Sequence, residues 1–182
     1  NGLVLAEDGK KMSKRLKNYP DPTVVIDEYG ADALRAYLVS SAAVRAEPMR
    51  FSEKGVRDTV RTVILPLYNA YNFLVTYARA DGWAPTAADL QVEPEAKLDR
   101  WISSRLTAFV GDLQREFDAY ALSNAVPALA RICDDLNNWY IRRGRRRYWR
   151  GREAGDRDKQ FAYATLFRAL VTITKAIAPV IP

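Results

Sequence analysis

A chain of 182 residues, 48% apolar and 27% charged, is long enough to bury a core without staples, and its composition excludes collagen-like, wholly disordered and low-complexity proteins. One cysteine, Cys133, excludes an intramolecular disulfide, and the absence of histidine excludes Ser/His/Asp and Cys/His triads, His-ligated metal sites and imidazole acid–base catalysis. The net charge of +6 resides in two patches, five basic residues in 10–17 and seven arginines in 139–152, which take 12 of the 28 basic residues and leave 16 against 22 acids elsewhere; such patches are the footprint of polyanion contact.

Leu3-Val4-Leu5 reads as a short strand, Glu7-Asp8-Gly9 as a turn, and Lys10 to Tyr19 as loop. The first residues lack a basic start and meet acids within one short apolar patch, which excludes a secretory signal. Asp21 caps, and Pro22 opens, a short helix that Gly30 closes at Tyr29. A second helix is expected over Asp32 to Ala42, with Leu34, Tyr37, Leu38 and Ser41 on one face.

Near residue 50 the character changes. From the cap Ser52, the residues Val56, Val60, Val63, Ile64, Leu67, Tyr71, Leu74, Val75 and Ala78 recur at helical spacing over about seven turns, and Pro66 is expected to kink that helix. Asp81 to Ala96, with Gly82, Pro85 and Pro94, reads as an exposed connection. Three further apolar stripes follow: Leu98 to Phe117, Leu122 to Tyr140, and Tyr163 to Ile177, the last begun near Asp156 and stopped by Pro179. Four long amphipathic helices predict an all-α antiparallel helix bundle. No run reaches the roughly 18 to 20 apolar residues of a membrane span. The apolar stripe still present at Pro182 and the strand-like start at Leu3 suggest a piece of a longer protein.

The segment Asp8-Gly9-Lys10-Lys11-Met12-Ser13-Lys14-Arg15-Leu16-Lys17-Asn18 taken alone is compatible with a solvated charge run or a nuclear localisation peptide. Its continuation weighs against both, because Asn18, Asp21-Pro22, Tyr29-Gly30-Ala31-Asp32 and Leu34-Arg35 follow at fixed distances. The whole string resembles the KMSKS signature and downstream segment of class I aminoacyl-tRNA synthetases. Leu98-Asp99-Arg100-Trp101-Ile102-Ser103-Ser104-Arg105-Leu106 and Asn138 to Trp149 resemble the anticodon-binding domain of the family's isoleucine branch. Two positions depart from the pattern: Arg15 stands where serine is commonest, and Gly144 interrupts the arginines where serine is frequent, which weakens the expectation of an unbroken helix there.

The resemblance implies a division into residues 1–50, the end of a catalytic domain with its phosphate loop, and 51–182, a helical anticodon-binding domain. It implies that Lys14 and Lys11 are catalytic, and that Lys11, Met12, Ser13, Lys14 and Arg15 form the ATP phosphate loop. Cations on such a loop stabilise the pyrophosphate charge that builds when a carboxylate attacks the α-phosphate, and Gly9 permits loop movement. In the full-length enzyme, isoleucine and ATP with Mg2+ give an adenylate, and the acyl group passes to tRNA. No metal site is expected in this stretch. The family's second nucleotide signature contains two histidines, so this chain alone is expected to be inactive. A cytoplasmic monomer is implied.

For tRNA the candidates are Arg142, Arg143, Arg145, Arg146, Arg147, Arg150 and Trp149, since guanidinium forks grip phosphates and aromatic rings stack on unpaired bases. The blander reading is a solvated face in which Arg142 and Arg146, or Arg143 and Arg147, one helical turn apart, pair with Asp134, Asp135 or Glu153. Only one of Trp139 and Tyr140 is expected to be exposed; Trp101 is assigned to the core, and Cys133 is read as an inert buried thiol. A helical nucleic-acid-binding module without ATP chemistry, and a basic amphipathic helix for membranes or acidic proteins, are the alternative functions.

Overall fold

The computed structural model describes residues 2–151 and 156–182, so the expectations placed on Arg152 and Glu153 fall outside it. Helix dominates, and the four expected long helical runs are present. The strand β1 (Val4–Leu5) pairs in parallel with β2 (Met49–Arg50). Between them come α1 (Pro22–Tyr29) and α2 (Ala31–Val39), followed by a 3-10 turn over Ala42–Arg45. The Asp21 side chain accepts from the Thr23 N–H at 2.9 Å and Pro22 opens α1, as the sequence predicts.

The first long run joins α3 (Glu53–Thr59), a π segment (Val60–Ile64) and α4 (Leu65–Ala80). The wide turn ends at Ile64, two residues before Pro66, and the Leu65 N–H reaches back five residues to Val60. A proline cannot donate to the helical ladder and crowds the preceding turn; the π turn is how the chain accommodates it. α5 (Lys97–Asp118) is the second run. The third joins a 3-10 turn (Leu122–Asn124), α6 (Ala125–Asp134), another π segment (Asp135–Ile141) and α7 (Arg142–Trp149). α8 (Arg157–Ile177) is the fourth. None of these helices is long and apolar enough to cross a membrane.

The chain forms two compact units: residues 1–65, 113–130 and 177–182 in one, and 66–112 and 131–176 in the other. In the first, Val25, Ala33 and Val56 form a buried nucleus with Tyr29, Leu34, Tyr37 and Phe51 packed around it. The most deeply buried positions of α2 are Ala33 and Ala36, while Leu34 and Tyr37 of the expected face pack half-buried around the nucleus. Small residues let α1 and α3 approach, while Tyr37 reaches sideways, its hydroxyl accepting from the Ser52 N–H at 3.0 Å. In the second unit, Leu74, Ile102, Leu106, Leu136, Tyr140, Tyr148, Leu166 and Ile173 are buried. Ala70 faces inward in place of Tyr71, which is exposed with Tyr68; a 3.6-residue period is satisfied by either position.

Candidate functional site

The N-terminal basic segment is a loop with a defined clamp. The side chain of Asn18 accepts from the Ser13 N–H at 2.9 Å and donates to the Lys11 carbonyl at 3.2 Å. Inside that span, the Leu16 and Lys17 N–H groups both donate to the Ser13 carbonyl, at 3.1 and 3.0 Å. Five residues thus form a tight knuckle with Lys14 and Arg15 at its exposed tip. Lys11 anchors the base through an antiparallel bridge to Leu5. Gly9 takes φ 82°, a left-handed turn that glycine adopts without strain. Lys10 pairs with Asp8 at 3.6 Å, whereas Lys11, Lys14, Arg15 and Lys17 have no acidic partner among the described residues.

From Arg142 to Trp149 the run is helical, Gly144 included. A Cβ added at Gly144 would meet only Leu98 Cδ2 at 3.6 Å and the Tyr148 ring at 3.8 Å, so the glycine neither breaks the helix nor is demanded by close approach. α7 buries Gly144 and Tyr148 and turns Arg142, Arg143, Arg145 and Arg146 to solvent. None of these four has an acidic partner among the described residues. Of the acids named as their partners, Asp134 accepts from Asn138 and Asp135 pairs with Arg105 at 2.8 Å, and Glu153 lies outside the described residues. The π segment just before α7 is secured by Asn137, whose amide donates to the Cys133 carbonyl at 2.8 Å and the Pro66 carbonyl at 3.0 Å.

Arg147 and Arg150 depart from the expected RNA face. The Arg147 side chain is 14% exposed and forms a bidentate pair with Asp99, at 2.6 and 2.8 Å, whose carboxylate is fully buried. Asp158 adds a contact at 2.8 Å and Tyr140 donates to Asp99 at 2.8 Å. Burial acts to lower the Arg147 pKa, but the hydrogen bonds and charge of Asp99 outweigh it and hold the guanidinium above its usual value. Arg147 is thus a fixed structural cation. Arg150 is occupied by Asp156 at 2.7 Å and Asp158 at 2.9 Å. Asp99 was absent from the sequence candidates, although its spacing from Ile102 and Leu106 puts an acid on the inward stripe, where a buried cation is needed.

The aromatics divide as expected, one in and one out. Tyr140 is 1% exposed and Trp139 is 47% exposed. Trp149 is 57% exposed, and its indole N–H donates to the Tyr77 hydroxyl at 2.7 Å, which fixes the ring while leaving surface free. Arg143 lies over the Trp139 ring at 4.1 Å and Arg145 over Trp149 at 5.8 Å. Trp101, expected in the core, is half-buried against Trp139, with ring centroids 5.9 Å apart. Cys133 is buried, and desolvation pushes its thiol up to about 12, keeping it protonated and unreactive at neutral pH.

Comparison with known proteins matches two stretches of the chain. Residues 1–50 match the family described as tRNA synthetases class I (I, L, M and V), and residues 99–182 match the anticodon-binding domain of tRNA ligase. Isoleucine–tRNA ligases of Protochlamydia amoebophila and Chlamydia trachomatis serovar D are 48% and 49% identical over 182 residues, all of this chain. The chain spans 17% of the length of these curated relatives. Among solved structures, the leucyl-tRNA synthetase of Agrobacterium radiobacter K84, in a ternary complex with tRNA, covers the whole chain and 20% of its own, at a TM-score of 0.71 and 22% identity. Methionyl-tRNA synthetase from Mycobacterium tuberculosis, with methionyl-adenylate, covers 98% of the chain and 35% of its own, at 0.75 and 19%. These last two show a shared fold.

Proposed function

The chain belongs to the class I aminoacyl-tRNA synthetase family, and from that premise we propose that it is the part of an isoleucine–tRNA ligase that runs from the ATP phosphate loop into the tRNA-binding helices. Residues 1–50 close the catalytic domain and 51–182 form the anticodon-binding domain. The observation that carries the RNA reading is the α7 surface: four guanidinium groups without an acidic partner among the described residues, flanked by the exposed rings of Trp139, just before the helix, and Trp149 at its end. A solvated charge face would recruit the neighbouring acids, and Asp134 and Asp135 are turned to other partners.

The parent enzyme joins isoleucine to the AMP part of ATP with release of pyrophosphate, and passes the acyl group from that adenylate to tRNA in the cytoplasm with release of AMP. In that reaction Lys14, at the tip of the knuckle, meets the charge that grows on pyrophosphate as the amino-acid carboxylate attacks the α-phosphate, and Lys11 assists from its base. Ser13 shapes the loop through its backbone N–H and carbonyl, so its contribution needs no hydroxyl chemistry. Mg2+ enters as the counter-ion of the nucleotide.

Replacing Arg142 and Arg146 together by alanine tests the RNA reading. Each phosphate contact releases condensed counterions, so the slope of log affinity for the cognate tRNA against log salt should flatten by roughly 1.4 to 1.8 for the pair. An unchanged slope and affinity would place the RNA contact elsewhere.

A further inference from the structure

Trp139 is a large, half-exposed indole on the edge of an arginine face, and its surroundings are those of a seat for a planar ring. Trp101 packs against it at 5.9 Å with the planes tilted by 48°, which holds the indole in place without covering it. The Arg143 guanidinium lies over the ring at 4.1 Å, a flat cation resting where another flat group can lie, and it has no acidic partner among the described residues. Arg142 and Arg146 stand exposed on the same helix, equally without acids.

We propose that Trp139, backed by Trp101, is a stacking seat for an unpaired base of the bound RNA, distinct from the exposed ring of Trp149 ten residues further along the chain. The inference rests on the RNA reading of α7 above. Arg143 is the exchangeable partner: on binding it leaves the indole face for a phosphate of the same nucleotide, and the base takes its place. Every base offers a π-face, and cation–π and stacking interactions on one ring are similar in strength, so the exchange costs little while the new phosphate contact adds to affinity. The charge of the surface selects this occupant. An apolar protein helix docked here would desolvate four guanidinium groups with no acid to receive them, whereas an RNA strand brings a phosphate with each base. Ten residues at about 1.5 Å each put the two tryptophans roughly 15 Å apart along the helical run, enough for separate nucleotides.

The test measures cognate tRNA binding to the full-length protein carrying Trp139→Ala, Trp139→Leu or Trp139→Phe. Loss of a stacked base weakens binding by about 5- to 150-fold for the alanine and leucine variants, with the salt slope retained, and phenylalanine recovers most of the loss. Leucine keeps an apolar contact with Trp101 but offers no π-face, so leucine binding as tightly as phenylalanine would overturn the proposal even if alanine disturbs the fold. Indole fluorescence supplies a second readout: in a Trp149→Phe background, tRNA should quench emission, and adding Trp139→Phe should remove that quenching. Full affinity in all three Trp139 variants, alongside weakened binding by the Arg142/Arg146 double variant, would refute the seat and leave the RNA reading intact. Full affinity in every variant, the arginine pair included, would remove the RNA reading itself.

Discussion

Replacing Asp99 by asparagine is the most direct probe of what separates the structural arginine from the solvent-facing ones. The carboxylate is fully buried and accepts three hydrogen bonds, two from Arg147 at 2.6 and 2.8 Å and one from Tyr140 at 2.8 Å. Asparagine keeps the shape but presents no charge, leaving a guanidinium that is only 14% exposed to rely on Asp158, whose side chain is 47% exposed. Breaking a buried pair costs about 3–5 kcal/mol because the remaining charge is stranded; the solvent-screened Asp158 contact places this case near the lower end, about 3 kcal/mol. For a chain of this size that lowers Tm by about 6–12 °C. Thermal and urea unfolding followed by circular dichroism measure it. Removing the pair together, Asp99→Leu with Arg147→Met, should restore most of the loss, since no stranded charge remains. A loss under about 1 kcal/mol for Asp99→Asn, or a double variant as unstable as the sum of the singles, would show that the pair is solvated and return Arg147 to the arginines proposed to bind RNA.

Gly144→Ala should stabilise the protein by about 0.5–1 kcal/mol in urea unfolding, because it sits inside a helix and the added methyl meets only ordinary van der Waals contacts. Stability should fall as pH rises above about 10, the ordinary value of a tyrosine: burial raises the folded pKa of Tyr140 and Tyr148, so the unfolded chain releases their protons first, with about 1.4 kcal/mol lost per pH unit for each group until the folded pKa is passed. Tyr148→Phe should flatten that alkaline limb; an unchanged limb would mean that the Tyr148 phenol does not titrate on unfolding. In the full-length protein, Lys14→Ala should slow adenylate formation far more than it weakens ATP binding. Asn18→Ala should slow the same step in the wild-type background and add little to Lys14→Ala, because Asn18 acts by holding the knuckle; additive losses would separate the two.

The four helical runs were legible because apolar period and caps act locally. Asp21 and Pro22 start α1 by hydrogen bonding and ring geometry that involve only near neighbours. Pro66 was legible as a disturbance, but its relief by a π turn was not, since one hydrogen bond shifted from i−4 to i−5 leaves hardly any trace in a 3.6-residue pattern. The sequence showed that one of Trp139 and Tyr140 must face inward; the choice follows from Asp99, 41 residues before Tyr140, whose carboxylate accepts the Tyr140 hydroxyl. The knuckle at 11–18 showed its charges plainly, whereas the role of Asn18 emerges only from two hydrogen bonds made across five and seven residues. In each case local chemistry was readable and the partner brought by the fold was not.

That distinction explains how an arginine run becomes a directed surface. α7 offers little to the core beyond Tyr148 and the bare backbone of Gly144, so hydrophobic burial alone specifies its rotation weakly. The Asp99–Arg147 pair supplies the missing constraint. A slip of one residue would turn the helix by about 100°, withdraw Arg147 from Asp99 and leave a fully buried carboxylate without its cation, a loss of several kcal/mol. The Tyr148 hydroxyl, which donates to the Ala162 carbonyl at 2.9 Å, would lose its acceptor in the same slip. With the rotation pinned from inside by one arginine, Arg142, Arg145 and Arg146 have no alternative but solvent, and their charge is aimed outward before any partner binds. The ion pair adds little to net stability compared with an apolar substitute, and its value is that preorganisation: side chains already placed spend less ordering entropy on binding.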